Sequence, residues 1–259
     1  MPEGDTVFLA GHRLNEALAG KALLRAELRH PRLPSGALSG RSVLGVHTVG
    51  KHILMRFSGE LSLHSHFRMD GAWHLYRPGQ KWQRPAHQVR AIIEVENRIA
   101  IGFSLHDMEL VPTSAEGSLV GHLGPDLLGA WNATEAVRRL SAEPEVPVFV
   151  ALLDQRNLAG IGNVYANEVC FLRGVLPTRP IGEVHDLPGT VRLAHRMLEA
   201  NKDRWTRTTT GDLRPGRQTW VYGRTGRPCR RCGTRLLGGE LGKREGEERI
   251  VTWCPVCQS

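Results

Sequence analysis

Cys229-Arg230-Arg231-Cys232 and, after a gap of 21 residues, Cys254-Pro255-Val256-Cys257 constrain this chain more than any other stretch. Each is a Cys-x-x-Cys pair that can turn two thiolates onto one ion, and the gap lies marginally beyond the usual range for such a site. Four thiolates prescribe a closed tetrahedral zinc site, with no position left open for water or substrate. Cys229, Cys232, Cys254 and Cys257 are therefore expected to hold one structural Zn2+. Between the pairs, Gly238-Gly239 and the charged run 243–249 predict a β-hairpin, with Arg249 in its turn region and held firmly enough to grip a phosphate. The fifth cysteine, Cys170, sits on an apolar helical stretch and reads as a core residue.

Upstream of these pairs the sequence has helical period. Asn132 with Glu135 makes a capping box, residues 146–154 read as a buried helix, and Pro188 opens a further helix to about Lys202. Leu158-Ala159-Gly160-Ile161-Gly162-Asn163 is a glycine-containing turn, followed by a helix that stops at Gly174. A helix beginning at Gly162-Asn163 offers backbone N–H groups to a phosphate, although a tight structural turn alone also explains the glycines. It is not a dinucleotide fingerprint, because no strand precedes it.

Charge points the same way. The chain has 259 residues and a net charge of +8, with a pI near 9.7. From residue 201 onward there are 13 Lys and Arg against 6 Asp and Glu, so seven of the eight surplus charges lie in the last quarter. Charge concentrated in this way points to nucleic acid. No apolar run is long enough to span a bilayer and the start lacks a secretory pattern, so a cytoplasmic location is expected. The paired cysteines fit that reducing compartment.

The amino-terminal half reads differently. Asp5-Thr6 caps an amphipathic helix through Val7, Ala10, Leu14 and Leu18 that stops near Gly20. Residues 42–57, 61–67 and 89–103 are rich in β-branched and aromatic residues and read as strands of a sandwich or barrel ending near Pro112. Gly50-Lys51 interrupts one of them, as a bulge that aims a cation. His64 and His66 share a strand face, but no third ligand is near in sequence, so no metal is expected there. A looser stretch with Gly121, Gly124 and Pro125 reads as a linker. A small second residue such as Pro2 lets the initiator methionine be removed. That would leave a secondary amine, a nucleophile for a carbonyl carbon, next to the carboxylate of Glu3.

Taken together these pieces resemble the formamidopyrimidine-DNA glycosylase and endonuclease VIII family, over nearly the whole chain. Met1-Pro2-Glu3-Gly4 is similar to its start, and Gly50-Lys51 to its strand lysine. Asp154-Gln155 through Gly160-Ile161-Gly162-Asn163 is similar to its helix–two-turn–helix. Trp220-Val221-Tyr222-Gly223-Arg224, Pro228-Cys229 and Arg249 ahead of Cys254-Pro255 are similar to its zinc finger. The resemblance implies an α+β, multidomain fold: an N-terminal helix plus β-sandwich over 1–115, a helix–two-turn–helix domain over 131–216, and a zinc finger over 217–259. It also implies a monomeric bifunctional DNA glycosylase and AP lyase of base excision repair, acting on duplex DNA with damaged bases or abasic sites. Pro2, Glu3, Lys51 and Arg249 would be catalytic, and Arg68, Met69, His122 and Asn163 would contact DNA.

Departures from the family pattern bear on substrate. The start Pro2-Glu3-Gly4-Asp5-Thr6 is nearer the endonuclease VIII branch, and Thr6 stands where both branches often carry glutamate. Arg68, Met69 and Asp70 align with residues that fill the gap left by a flipped base, where Met69 suits an apolar wedge and Asp70 does not. His122 replaces a DNA-binding arginine, which would make that contact pH-dependent. The segment 206–219, where the purine branch holds a lesion-capping loop, is short. Oxidised pyrimidines are therefore the expected substrates, with oxidised purines or abasic sites as the alternative. A non-enzymatic zinc-ribbon DNA-binding protein is the reading from another class. A zinc hydrolase is disfavoured, because four thiolates leave no site for water.

Overall fold

The amino-terminal half forms eight strands in two antiparallel sheets. The computed structural model describes residues 2–34 and 36–259, and these divide into compact units over 1–122 and 123–259. In the first unit, helix α1 (Gly4–Leu18) precedes β1 (Leu23–Leu28), β2 (Val43–Val49), β3 (His52–Phe57), β4 (Leu61–His66), β5 (Ala72–Tyr76), β6 (Val89–Val95), β7 (Arg98–Phe103) and β8 (Asp107–Pro112). One sheet runs β1-β6-β7-β5 and the other β2-β3-β4-β8. Val46, Ile53, Met55 and Leu63 from one sheet meet Ala91, Ile93 and Ala100 from the other in a shared core, which α1 joins through Val7, Leu14 and Leu18. Ile92, Ile101 and Phe103 build a second small core with Tyr76 and Trp82. Strands β6 and β7 are thus covered on both faces, so residues 89–103 read as a nearly continuous apolar run rather than an alternation.

Two local expectations change. The capping position of α1 is Glu3, not Asp5 or Thr6; Asp5 lies buried in the first turn, with its Oδ1 accepting from the Thr6 N–H at 2.7 Å. Gly50-Lys51 is not a bulge. Val49 pairs with His52, so Gly50 at φ +57 and Lys51 form a two-residue hairpin turn with glycine leading. Helix α1 also packs closely on β2, since a Cβ at Gly11 would come within 2.3 Å of Thr48 Cγ2.

A short helix α2 (Glu116–Val120) ends the first unit. Arg56 grips Glu116 bidentately, at 2.9 Å and 2.6 Å, and Ser62 Oγ donates to the same carboxylate at 2.6 Å. That grip anchors the segment leading to His122.

The second unit holds α3 (Ala133–Leu140), α4 (Val148–Leu153), α5 (Asn163–Arg173) and α6 (Leu187–Glu199), followed by β9 (Leu237–Leu241) and β10 (Arg249–Trp253). Asn132 caps α3 by accepting from the Glu135 N–H at 3.0 Å, as the sequence predicts. Gly174 ends α5 in the left-handed conformation at φ +69. The helices share one core, and Val251 of the β9–β10 hairpin belongs to it. The α+β architecture expected from the sequence, with an N-terminal sandwich, a helical middle and a C-terminal cysteine cluster, is the one the chain adopts. Among the described residues, no helix is long and apolar enough to cross a membrane.

Candidate functional site

In the first unit, Pro2 is half-buried and leads directly into Glu3, whose side chain is fully buried at the head of α1. Met1, whose removal the nucleophile requires, lies outside the described residues. The Glu3 carbonyl accepts from the Val7 N–H at 3.0 Å, so the carboxylate sits on a rigid helix start. Lys51 occupies the tip of the β2–β3 hairpin, while Thr6 is exposed on α1.

Arg68, Met69 and Asp70 form the turn between β4 and β5. Arg68 adopts a left-handed backbone at φ +51. Its N–H donates to His66 Nδ1 at 3.1 Å, and its guanidinium is ion-paired to Asp107. Met69 stands 69% exposed at the tip, which is the geometry an apolar wedge requires. Asp70 holds its carboxylate 3.7 Å from His106.

The hairpin also brings together imidazoles that are distant in sequence. His52 pairs with His66 across the ladder, and His52 Nδ1 lies 2.8 Å from His64 Nε2. The ring of exposed His122 stands edge-on to His52 at 6.4 Å. The short His52–His64 contact needs one donor and one acceptor, so protonating both rings would set N–H against N–H. Burial, with His66, His64, His122 and Lys51 adding like charge, pushes His52 down to about 3. Burial and the Arg68 guanidinium bring His66 down to about 4, and burial also lowers His64. His52, His64 and His66 are therefore neutral near pH 7. Sequence spacing showed only the pair on β4, because His52 joins it through strand pairing.

In the second unit, the turn before α5 is wired by one side chain. Gln155 donates from Nε2 to the carbonyls of Leu153 and Ile161, at 2.8 Å and 2.9 Å, and accepts from the Gly160 N–H at 3.1 Å. Gly124 packs flat on this turn; a Cβ there would come within 2.6 Å of the Arg156 and Asn157 backbone. Asn163 is the first residue of α5 and is buried. Arg249 opens β10, on the strand rather than in the turn, and its Nη1 donates to the Glu247 and Glu248 carbonyls at 3.1 Å and 2.9 Å.

Two buried polar residues of α5 went unread in the sequence. Asn167 reaches β10. Glu168 accepts three successive backbone N–H groups from Trp220, Val221 and Tyr222, at 2.7 Å, 2.8 Å and 2.8 Å, together with the Thr209 hydroxyl. Burial pushes the Glu168 carboxyl upward, against the pull of those donors.

The sulfur atoms of Cys229, Cys232, Cys254 and Cys257 all lie within 4.8 Å of one another; Cys232 and Cys254 are at 3.4 Å, and Cys229 and Cys257 at 4.0 Å. A tetrahedral zinc with Zn–S near 2.3 Å sets its sulfurs about 3.8 Å apart, so the donor set fits such an ion. Among the described residues, this is the one group of three or more candidate ligands that converges. Cys170 is buried in the helical core, where burial pushes its thiol up to about 12.

Each unit contains a segment that matches a known domain. Residues 1–107 match the formamidopyrimidine-DNA glycosylase N-terminal domain, and residues 123–198 the formamidopyrimidine-DNA glycosylase H2TH domain. The chain is 50% identical to "Probable endonuclease 8 2" of Streptomyces coelicolor, over its full length and 94% of that protein. It is 47% identical to the DNA-(apurinic or apyrimidinic site) lyase Nei2 of Mycolicibacterium smegmatis, over its full length and 99% of that protein. Its fold superposes on the Lactococcus lactis formamidopyrimidine-DNA glycosylase in complex with N7-benzyl-Fapy-dG DNA, with a TM-score of 0.80, 22% identity and full coverage of both chains. The chain belongs to the formamidopyrimidine-DNA glycosylase and endonuclease VIII family.

Proposed function

We propose that the protein is a bifunctional DNA glycosylase and AP lyase of base excision repair that removes oxidised pyrimidines from duplex DNA and cuts the strand. The observation that carries this reading is a half-buried proline just ahead of the α1 cap, next to a glutamate with no solvent exposure. With Met1 removed, the Pro2 amine attacks C1′ of a flipped-out nucleotide and the C1′–base bond breaks. Glu3 supplies the proton movements of base departure and ring opening. The resulting iminium is an electron sink that acidifies the C2′ proton; elimination expels the 3′ phosphate, and a second elimination expels the 5′ phosphate. Water then hydrolyses the iminium and regenerates the amine.

Lys51, Asn163 and Arg249 hold the phosphates flanking the lesion, which fixes register without reading sequence. Lys51 and Arg249 also donate protons. Met69 and Arg68 fill the gap in the duplex, and His122 contacts the backbone. The sandwich over 1–115 performs the chemistry, while segments 131–216 and 217–259 grip the DNA. The four cysteines hold one zinc, which staples the hairpin carrying Arg249. We place the enzyme as a monomer in the bacterial cytosol, in keeping with its bacterial relatives. The preference for pyrimidines is supported by the endonuclease 8 names of its relatives.

Borohydride reduction tests the nucleophile directly, because it fixes the iminium as a covalent protein–DNA adduct. Protein beginning at Pro2 should trap on abasic-site duplex, Pro2→Gly should lose most of its activity, and protein retaining Met1 should trap nothing. Full trapping by a preparation shown by mass spectrometry to keep Met1 would rule out this amine.

A further inference from the structure

Asn167 lies one helical turn beyond Asn163 on α5 and is fully buried. Its Nδ2 donates to the Asn163 carbonyl at 2.8 Å, to Asn163 Oδ1 at 3.0 Å and, more weakly, to the Ile250 carbonyl at 3.4 Å. Its Oδ1 accepts from the Thr252 N–H at 2.7 Å. The Ile250 carbonyl and the Thr252 N–H belong to residues two apart, so they lie on one side of β10. A single amide that meets both acts as the peptide of a neighbouring strand would. Arg249 immediately precedes this pinned segment, and β9 pairs along the strand from Arg249 to Trp253. At the helix end, Asn163 has its side-chain acceptor engaged by Asn167. What its amide then offers is a pair of donors, the chemistry an anionic oxygen takes.

We propose that Asn167 is the positioning residue of the DNA grip, holding Asn163 and the start of β10 in one geometry so that Asn163 and Arg249 meet backbone phosphates together. The inference rests on the phosphate roles proposed above for those two residues. Asn167 itself touches no DNA. Replacing it would therefore weaken the grip through Arg249 rather than beside it, and the two losses should not add.

The experiment measures affinity for duplexes carrying a reduced abasic site and an oxidised pyrimidine, over a range of salt concentrations. The proteins are wild type, Asn167→Leu, Asn167→Asp, Arg249→Ala and the Asn167→Leu/Arg249→Ala double variant. Asn167→Leu is shaped like asparagine and has no polar atoms. Asn167→Asp keeps the acceptor for the Thr252 N–H and sets a carboxyl oxygen in place of the donors, so it carries the test if the leucine variant does not fold. Each variant is first checked for one zinc per chain. Asn167→Leu should lose on the order of tenfold in affinity on both duplexes, the scale of one hydrogen bond to a charged group. Its slope of log affinity against log salt should become shallower by about 0.9, matching Arg249→Ala. The double variant should bind no worse than Arg249→Ala alone. If Arg249→Ala makes the slope shallower while both Asn167 variants keep the wild-type slope, or if the losses add in full, the positioning role is wrong and the phosphate reading stands. If Arg249→Ala leaves the slope unchanged, the phosphate reading falls and this inference with it. Loss of zinc from both Asn167 variants would make the residue a structural brace only and would overturn the proposal.

Discussion

The second unit gathers four cysteines and the first gathers four histidines, residue types with similar appetite for metals, yet only the cysteines converge. Their sulfurs all lie within 4.8 Å of one another. The imidazoles of β3 and β4 instead lie side by side, His52 and His64 stacked at 5.1 Å between ring centroids and His52 and His66 tilted at 5.0 Å. The difference lies in the backbone. A Cys-x-x-Cys knuckle turns both side chains of a pair inward, whereas residues two apart on a strand point the same way and stay parallel. One cluster is built to hold charge against a cation. The other holds charge out: His64 Nδ1 is buried without a hydrogen-bond partner, and His52 shares a single proton with its neighbour.

The largest effect that sharpens this comparison is expected at the thiolates. Zinc binding carries folding free energy, about 10–16 kcal/mol in finger peptides. Cys232→Ser should lose the metal, unpin β9 and β10, and abolish tight DNA binding, while the sandwich keeps its strand content by circular dichroism. His52→Gln should leave metal content at one ion per chain. An active protein without zinc, or a second equivalent of metal lost on His52→Gln, would break the distinction between the clusters.

A smaller effect is expected from acid. An unfolded histidine titrates near 6.5, while His52 and His66 in the folded unit titrate at about 3 and about 4. Between those values the unfolded chain binds protons that the folded chain refuses, so stability falls as pH drops below 6.5. Above 6.5 both states are neutral and nothing is lost. The slope is at most about 1.4 kcal/mol per pH unit for each histidine, reduced by solvent screening. The groups around these rings are Lys51, Arg68, His122, Asp107 and Glu109. The urea midpoint of the first unit should therefore drop from pH 6.5 to pH 5, and His52→Gln should flatten the drop. A midpoint that is level across that interval would contradict a neutral cluster.

The same contrast explains what the sequence could tell. The cysteine site was legible because its ligands declare themselves in pairs and need only one long-range closure. The helices from α3 to α6 were legible from period and caps, down to the Asn132 side chain and the Gly174 stop. The histidine cluster was not legible, because His52 reaches His64 and His66 only through the β3–β4 register. Strands β1, β5 and β8 went unread because their burial, and with it the alternation, is incomplete. Asn167 and Glu168 were invisible because a polar residue inside a helix looks like a solvated face until its partners, 83 to 85 and 52 to 54 residues away, are in place.

The smallest effect concerns Arg68, at the rim of the histidine cluster. Its guanidinium is 64% exposed and paired to Asp107, and an exposed pair of this kind contributes no more than about 1 kcal/mol. Arg68→Ala should therefore leave stability at pH 7 nearly unchanged. Its mark should appear on His66 instead. Arg68 lowers that ring and Asp107 raises it, so deleting the arginine removes the one and unmasks the other. Both changes act in the same direction, and His66 should titrate above about 4 and nearer its ordinary value. The direct observation is the His66 ring-proton shift followed by NMR through an acid titration of wild type and variant, with His52→Gln to assign the neighbouring ring. An unmoved or lowered His66 would show that burial alone keeps the cluster neutral, and that the Arg68–Asp107 pair serves the turn carrying Met69 and not the imidazoles behind it.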